Sequence, residues 1–434
     1  MKTNPWLVCV VLMACSSLPA LGQSDPVQKG ANELHSASNG QLTLRFEERT
    51  RWEEQYGVKF GAAVNQQDML SRIRIGIQYR PVSWLTFSGM GQDARAPWYG
   101  KPAPNSVRET MNMHEAWLAL ASEKTALNLS FGRRMLDYGE TRVIGTPQWS
   151  NTSRTYDYGR MEYSSKKMTL DALMVSPVIV QTDAFNNPEL GNRIWGTYDV
   201  FPKLFHGLSV DTYALRHSEN KIGGWTSAGT LGTNSFGARV YGPLPDRFAY
   251  SLESTGQTGH QGLLDQRAYS WFAGASRPVA LFNMPLSLSL EYKGASGSSY
   301  GSGHDATYDQ LAPANHDKFG HMDQFGWRNL KTLKSLETLK ITKSVAFNLM
   351  YTDENLFSAS DALYNSSGSQ IAISKKGTAG THVGQELDAF TTFAVRDHTF
   401  YAGFGHFFKG EFVENTTPGI NPRYFYFAQQ YVIK

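Results

Sequence analysis

The chain has 434 residues, a formal net charge of +3, 13% aromatic residues and only 18% charged residues. This near-neutral balance gives no whole-surface attraction for polyanions, so we expect no nucleic-acid partner. Both cysteines, Cys9 and Cys15, lie near the N-terminus, which excludes a disulfide framework or a cysteine metal site in the remainder of the chain.

The N-terminal residues predict secretion. Lys2 precedes a short apolar core, WLVCVVLMAC (6–15), and the small residues Ala20 and Gly22 follow. This is the pattern of a secretory signal peptide, so we predict that residues 1–22 are removed after Gly22. A lipoprotein cleavage box at residues 12–15 is an alternative that Met13 disfavours.

The next stretch, residues 23–40, is polar and is expected to form a mobile segment. From residue 41 to the C-terminus, candidate strands of alternating character recur. In SRIRIGIQYR (71–80) the isoleucines occupy one face of a strand and the arginines the other. PLSLSLEYKG (285–294) repeats the pattern with leucines opposite polar residues. The predicted strands lie at 41–51, 71–80, 84–93, 114–121, 126–134, 159–164, 168–176, 193–201, 208–216, 235–242, 248–255, 268–277, 285–294, 327–337, 344–352, 384–396, 399–408 and 423–433.

These strands predict an all-β chain in a membrane. Outside the signal peptide no run of about 18 apolar residues is present, so a membrane-spanning helix is not expected. An alternating chain satisfies its backbone in lipid by closing its sheet. We therefore predict a transmembrane antiparallel up-and-down β-barrel of about 18 strands in the outer membrane, spanning residues 41–434. LKTLKSLETLK (330–340) has leucine at every third position and fits either a helix or an irregular strand.

Three blocks resemble the alginate-export porin family of Gram-negative outer membranes. They are DYGETRVIGTPQWSNTSRTYDYGR (137–160), YDQLAPANHDKFGHMDQFGWRNLK (308–331) and GQELDAFTTF with GFGHFFKGEF (384–412). The resemblance implies a monomeric, 18-stranded passive channel, which in the best-known members passes the anionic polysaccharide alginate through an arginine-lined pore. The residues that match the family pattern are Asp137, Gly139, Arg142, Trp149, Asp157, His316, Phe319, Gly320, Asp323, Trp327 and Asn329.

Candidate pore-lining arginines come from two arguments. Matched family positions suggest Arg133, Arg134, Arg142, Arg154 and Arg160. Strand parity, with apolar residues outward, also suggests Arg134 and Arg160 and adds Arg45, Arg72, Arg74, Arg193 and Arg239. Parity also places acids inside, namely Glu47, Glu162, Asp171, Asp199, Glu253, Glu291, Glu386 and Asp388. Two hypotheses stay open for each arginine: it attracts an anionic solute, or it pairs with a carboxylate across neighbouring strands, most clearly for Arg160 beside Glu162.

Other chemistry has little support. GSSYG (297–301) has the letters of a nucleophile elbow but sits in a Gly/Ser-rich loop without the required strand and helix. Asn315, His316, Asp317, His321 and Asp323 contain potential ligands for a divalent ion, but their spacing matches no standard site. We predict no catalytic residues, no metal and no cofactor.

The predicted function is an outer-membrane channel for passive diffusion of a polar, anionic sugar or polysaccharide such as alginate. The alternatives are general uptake of small solutes, a barrel hydrolase and a non-conducting surface barrel. The expected partners are outer-membrane lipid, the solute and periplasmic secretion components. The sequence leaves open which solute passes and in which direction.

Overall fold

The structure of the protein is a computed structural model that describes residues 26–57, 60, 65–99, 103–122, 124–205, 207–220, 230–417 and 419–433. The predicted signal peptide, residues 1–22, lies outside these residues. Within the described ranges, no helix has the length and apolar character needed to cross a bilayer.

The described residues are mostly in strands, with one α-helix before the first strand and a short one before the last. Helix α1 spans Pro26–Ala37 and helix α2 spans Glu411–Thr416. The strands are β1 (Leu42–Tyr56), β2 (Gln66–Val82), β3 (Leu85–Arg95), β4 (Glu109–Ser122), β5 (Leu127–Arg134), β6 (Tyr156–Ser164), β7 (Thr169–Ile179), β8 (Asn187–Pro188), β9 (Asn192–Phe205), β10 (Leu208–Glu219), β11 (Leu231–Pro243), β12 (Ala249–Gln261), β13 (Leu264–Leu281), β14 (Met284–Ala295), β15 (His304–Asp305), β16 (Leu330–Lys340), β17 (Val345–Leu356), β18 (Ala362–Tyr364), β19 (Gln370–Ile373), β20 (His382–Val395), β21 (His398–Lys409) and β22 (Arg423–Val432).

The 18 long strands form a closed antiparallel barrel, and the short strands β8, β15, β18 and β19 belong to its loops. Each long strand pairs with its neighbours in the chain, and β1 closes the ring by pairing with both β2 and β22. Closure leaves no unpaired edge, which is the condition for a sheet in lipid. The predicted fold is therefore confirmed, and a wall strand lies at each of the 18 predicted positions.

The two faces of the wall follow the predicted alternation. Ile73, Ile75 and Ile77 of β2 are about half exposed on the outer face, whereas Arg72 and Arg74 are each 1% exposed on the inner face. An arginine at mid-depth on the lipid face would cost about 2–4 kcal/mol, so the alternation fixes which face turns inward.

The ambiguous segment 330–340 forms strand β16. Its three-residue leucine spacing puts Leu330 on the inner face, where it is 1% exposed, and Leu333 on the outer face, where it is 41% exposed. Apolar residues suit both faces here because the inner face packs against loops inside the barrel. Leu330 belongs to a core cluster with Phe319 and Trp327 from such a loop.

The N-terminal segment differs from the expected mobile stretch. Part of it forms α1, whose Ala31 packs against Tyr431 and Ile433 at the C-terminal end of the barrel. Leu44 and Phe46 of β1 border the same cluster. The helix forms because apolar residues at helical spacing have an apolar surface to cover at the β1–β22 seam.

Two long connections fold into the barrel. The first lumen loop, residues 135–155, joins β5 to β6, and the second lumen loop, residues 296–329, follows β14. They meet in a parallel bridge between Ile144 and Ala312, where the amide of Gly145 donates to the carbonyl of Ala312 at 2.9 Å. Most long connections share one barrel end, which in such barrels faces the cell exterior.

Candidate functional site

Four arginines on the β1–β2 wall bind the first lumen loop, and we call them the arginine cluster: Arg49, Arg51, Arg72 and Arg74. Arg49 donates to the Gln148 carbonyl at 2.8 Å and the Trp149 carbonyl at 3.0 Å. Arg72 donates to the Ser150 carbonyl at 2.9 Å. All four are at most 4% exposed. Their planar, multiple donors suit the carbonyls of a turn that has no strand partner.

Carboxylates balance part of this buried charge. Arg72 donates its Nε to Glu47 at 2.8 Å, and Arg74 contacts the other oxygen of Glu47 at 3.3 Å. Arg51 pairs with Glu53 at 2.5 Å. Arg72 and Arg74 were predicted as pore-lining residues, and the structure places them on the inner wall beneath the loop. Their direct contacts are with protein groups.

The opposite side of the first lumen loop is bound to a different wall. Tyr138 donates to Asp171 of β7 at 2.8 Å. Arg142 pairs with Glu253 of β12 at 2.9 Å and with Glu140 of its own loop at 2.6 Å. Contacts with both walls show that this loop crosses the lumen and narrows it.

Glu140 connects that wall to the loop a second time. Its carboxylate lies 3.2 Å from Arg239 of β11, which also pairs with Asp211 at 3.0 Å. Burial raises the pKa of Glu140, but Arg142 and Arg239 lower it by more, so the net pKa is below the ordinary value. Glu140 is therefore ionised at neutral pH.

Trp149 and two histidines form what we call the loop junction, where the two lumen loops touch. The rings of Trp149 and His316 stack at 4.7 Å between centroids with an interplanar angle of 6°. His321 approaches the edge of Trp149 at 5.7 Å, and Arg51 lies over Trp149 at 4.1 Å. The Trp149 indole therefore lies between the guanidinium of Arg51 on the wall and the imidazole of His316 on the second lumen loop. A cavity of about 560 Å³, lined by Asp323 and Tyr424 among others, opens beside it.

Lys318 is a half-buried cation of the second lumen loop. Across the described ranges, no carboxylate forms an ion pair with it. Burial lowers its pKa most, and the nearby cations Arg142 and Lys334 lower it further, while Glu140 and Glu291 oppose the shift. Lys318 is thus near both the Glu140–Arg142 pair and Glu291, which itself pairs with Lys293 at 3.0 Å.

Other predicted arginines face the lumen but contact protein partners. Arg45 pairs with Glu115 at 2.5 Å and keeps a third of its side chain exposed. Arg134 lies over Trp117 at 4.4 Å. Arg160 pairs with Asp171 at 2.6 Å and also with Glu162, as the pairing hypothesis expected.

Arg154 joins the two lumen loops rather than the wall. It donates to the Pro313 carbonyl of the second loop at 3.0 Å and approaches the Gly145 carbonyl of the first at 3.4 Å. Both acceptors are main-chain oxygens, so its contacts are structural.

Arg133 and Arg193 lie on the outer face. This corrects the inward position that parity predicted for Arg193 and Asp199, and the pore-lining role that the family match suggested for Arg133. Arg133 shares its face with the exposed Phe131 and pairs with Asp157 at 2.7 Å. Arg193 shares its face with the exposed Trp195, and Asp199 has the same parity. The reason is that Ile194 and Tyr198 pack inward against the first lumen loop, which reverses the usual polar lumen on this wall.

The residues of the first family block shape the loop turns. Asp137 accepts the amide of Thr146 at 2.6 Å. Gly139 has a φ of 55°, and a Cβ there would lie 2.3 Å from the Tyr198 hydroxyl, so only glycine fits.

The residues of the second block hold the second lumen loop against the wall. Phe319 and Trp327 are buried in its core. Gly320 has a φ of 97°, and a Cβ would lie 2.4 Å from the Glu386 carboxylate. The Asn329 amide donates to the Ala362 carbonyl at 2.9 Å, and Asp323 pairs with His316 at 2.7 Å.

Sequence reasoning missed Arg49, Arg51, Glu140 and Lys318. Arg49 and Arg51 share the parity of Arg45 on the same strand, so alternation alone could have found them. Glu140 and Lys318 lie in loops, where parity carries no information and the contacts depend on how the two loops meet.

A closed 18-stranded barrel with a polar lumen narrowed by inward loops defines an outer-membrane channel. The alginate export family matches residues 41–427, and the chain belongs to this family. The members of this family are transport channels. A comparison with curated proteins finds no match.

Solved outer-membrane porins of Pseudomonas aeruginosa share the fold. OccD3 (OpdP) superposes with a TM-score of 0.63 and 11% identity, covering 90% of this chain and 91% of that chain. OccK8 (OprE) gives a TM-score of 0.62 and 9% identity over 90% and 98% of the two chains. OpdK, solved with vanillate, gives 0.61 and 8% over the same shares. At this identity the likeness concerns the fold alone.

Proposed function

We propose that this channel mediates passive diffusion of polar, anionic solutes, and that carboxylated sugars are the solute class. The observation that carries the proposal is Lys318, a half-buried ammonium group of the second lumen loop without a carboxylate partner among the described residues. Its neighbours Arg142 and Lys334 add further positive charge. Alginate, the polymer of the family name, consists of carboxylated sugars.

A weakly held cation suits transport better than a tight site. A channel must attract its solute strongly enough for entry and weakly enough for release. Lys318 offers a single point charge, whereas the arginines around it already pair with Glu140, Glu253 and Asp211. We therefore assign attraction of the solute to Lys318, with Arg142 and Arg239 as supporting charges.

The test is solute flux into liposomes that contain the purified protein. We expect glucuronate to enter faster than glucose, a neutral sugar of similar size, and we expect this ratio to fall towards one in Lys318→Gln. Lys331→Gln is the matched control because Lys331 shares the outer face of Leu333. Equal entry of the two sugars in the unmodified protein would overturn the proposal.

Chain length separates the two transport alternatives. Entry of alginate oligosaccharides as well as glucuronate would favour polysaccharide passage, and entry of glucuronate alone would favour general uptake of small solutes. Absence of any flux or current would favour a hydrolase or a non-conducting barrel.

We further propose that residues 1–22 are a signal peptide of a Gram-negative host and that the mature barrel is a monomer without a cofactor. N-terminal sequencing of protein from the outer membrane should begin at Gln23. Light scattering of the purified protein should give the mass of one chain.

A further inference from the structure

Three potential metal ligands converge at the loop junction. They are His316, Asp317 and His321 of the second lumen loop, and one ligand atom from each lies within 4.8 Å of the other two. Asp317 Oδ1 is 3.4 Å from His316 Nε2 and 2.5 Å from His321 Nδ1.

His316 is oriented by a further carboxylate. Its Nδ1 lies 2.7 Å from Asp323 Oδ2, which leaves Nε2 directed towards Asp317. A carboxylate that fixes the tautomer of a histidine in this way is the usual second partner of a metal-binding imidazole. Stacking on Trp149 holds the same ring in its plane.

His321 supplies an independent observation. It is 5% exposed and its Nδ1 pairs with Asp317, but among the described residues its Nε2 has no hydrogen-bond partner. The ring is held by stacking on Phe390 at 4.6 Å and on Tyr426 at 5.1 Å. The ring is thus held rigidly beside Asp317, and a buried ring nitrogen without a partner, such as this Nε2, calls for an explanation.

We propose that His316 Nε2, Asp317 Oδ1 and His321 Nδ1 bind a divalent transition metal, with Zn²⁺ as the best match. Imidazole and carboxylate ligands suit this ion at bond lengths of about 2.0–2.2 Å, which puts tetrahedral ligands about 3.3 Å apart. The His316–Asp317 distance already fits, and the Asp317–His321 distance must open by about 1 Å. Because nearly half of the Asp317 side chain is exposed, a water molecule can complete the site.

The site is independent of the proposed solute, since it needs neither Lys318 nor ion flow. It would join three residues that shape the second lumen loop, so metal binding would stiffen the loop junction. It also departs from the sequence expectation, because the ligand spacing alone matched no standard metal site.

The test is titration of the purified, metal-free protein in detergent with ZnCl₂ by isothermal calorimetry, and with CoCl₂ by visible absorption. We expect one metal per chain and the absorption bands of four-coordinate cobalt. His321→Gln should abolish both signals, and His304→Gln, an exposed histidine of the same loop, should leave them unchanged. No binding, or unchanged binding in His321→Gln, would overturn the site.

Asp323→Asn is a second variant, which tests the site even if His321→Gln fails to fold. Asp323 has a φ of 54°, a conformation that asparagine tolerates, and all three ligands are retained. We expect metal affinity to fall about 10–100-fold, as for loss of other second partners. Unchanged affinity in Asp323→Asn, with the barrel folded, would contradict the assigned role of His316.

Discussion

The first lumen loop is held by two walls that use arginine differently. On the β1–β2 wall the arginine cluster donates to main-chain carbonyls and is almost fully buried. On the β11–β12 side, Arg142 and Arg239 share the partly exposed carboxylate of Glu140. Lys318, which has no carboxylate partner in the described part of the chain, is nearby. The inward orientation of an arginine therefore does not show by itself that the arginine contacts the solute. What its donors bind decides whether it anchors a loop or presents charge to the lumen.

The largest effect should come from Arg72→Ser. The change removes donors to the Gln148 and Ser150 carbonyls and leaves Glu47 with Arg74 alone. Removal of one partner of a buried pair costs about 3–5 kcal/mol, so the loop should become more mobile on this wall, where Arg49 and Arg51 still donate to it. We expect higher and noisier single-channel conductance in planar bilayers. Arg277→Ser, an arginine beside Phe248, is the control, and a conductance equal to that of the unmodified protein would contradict the anchoring role.

A smaller effect is expected for Arg142→Gln. The ion pairs to Glu253 and Glu140 are lost, but the arginine cluster still holds the other side of the loop. Hydrogen bonds to charged groups contribute about 1.5–3 kcal/mol, so thermal unfolding should shift down by less than in Arg72→Ser. Anion preference should fall as well. A larger decrease in unfolding temperature than in Arg72→Ser would mean that the β11–β12 wall holds the loop more strongly than the β1–β2 wall does.

Acidic pH should change the selectivity of the second wall. Because the pKa of Glu140 lies below its ordinary value of 4.5, the carboxylate stays charged until the pH falls below about 4.5. Its protonation then frees Arg142 and Arg239, and anion preference measured by reversal potential should rise. Glu140→Gln should show the higher preference already at pH 7 and should respond less to acid. An acid response identical to that of the unmodified protein would exclude Glu140 as its source.

The smallest effect is expected for Arg133→Gln. This residue pairs with Asp157 on the outer face, with both side chains partly exposed. Such pairs contribute about 0–1 kcal/mol, and no lumen charge changes. Conductance and reversal potential should match those of the unmodified protein. A loss of anion preference would indicate that Arg133 lines the pore after all.

The sequence was sufficient for the barrel because alternation between lipid and lumen repeats in every strand. The leucine spacing of residues 330–340 is also explained, because loops inside the barrel cover the apolar residues on the inner face of this strand. Sequence also located the two blocks that form the lumen loops, but not their contacts. Ile144 meets Ala312 and Trp149 meets His316 across more than 150 residues, and no local pattern encodes such pairings. Arg193 was misplaced for the same reason, since the loop that packs on β9 reverses the polarity of that wall.

The most direct test compares two variants in the same planar bilayer under a potassium chloride gradient. Arg72→Ser combined with Arg74→Ser should raise conductance and keep the anion preference, whereas Lys318→Gln should lower the anion preference and keep the conductance. The contradicting result is the reverse: unchanged conductance with lost anion preference in the double arginine variant, and no change in Lys318→Gln. That outcome would show that anions pass along the arginine cluster and that Lys318 does not contribute to anion preference.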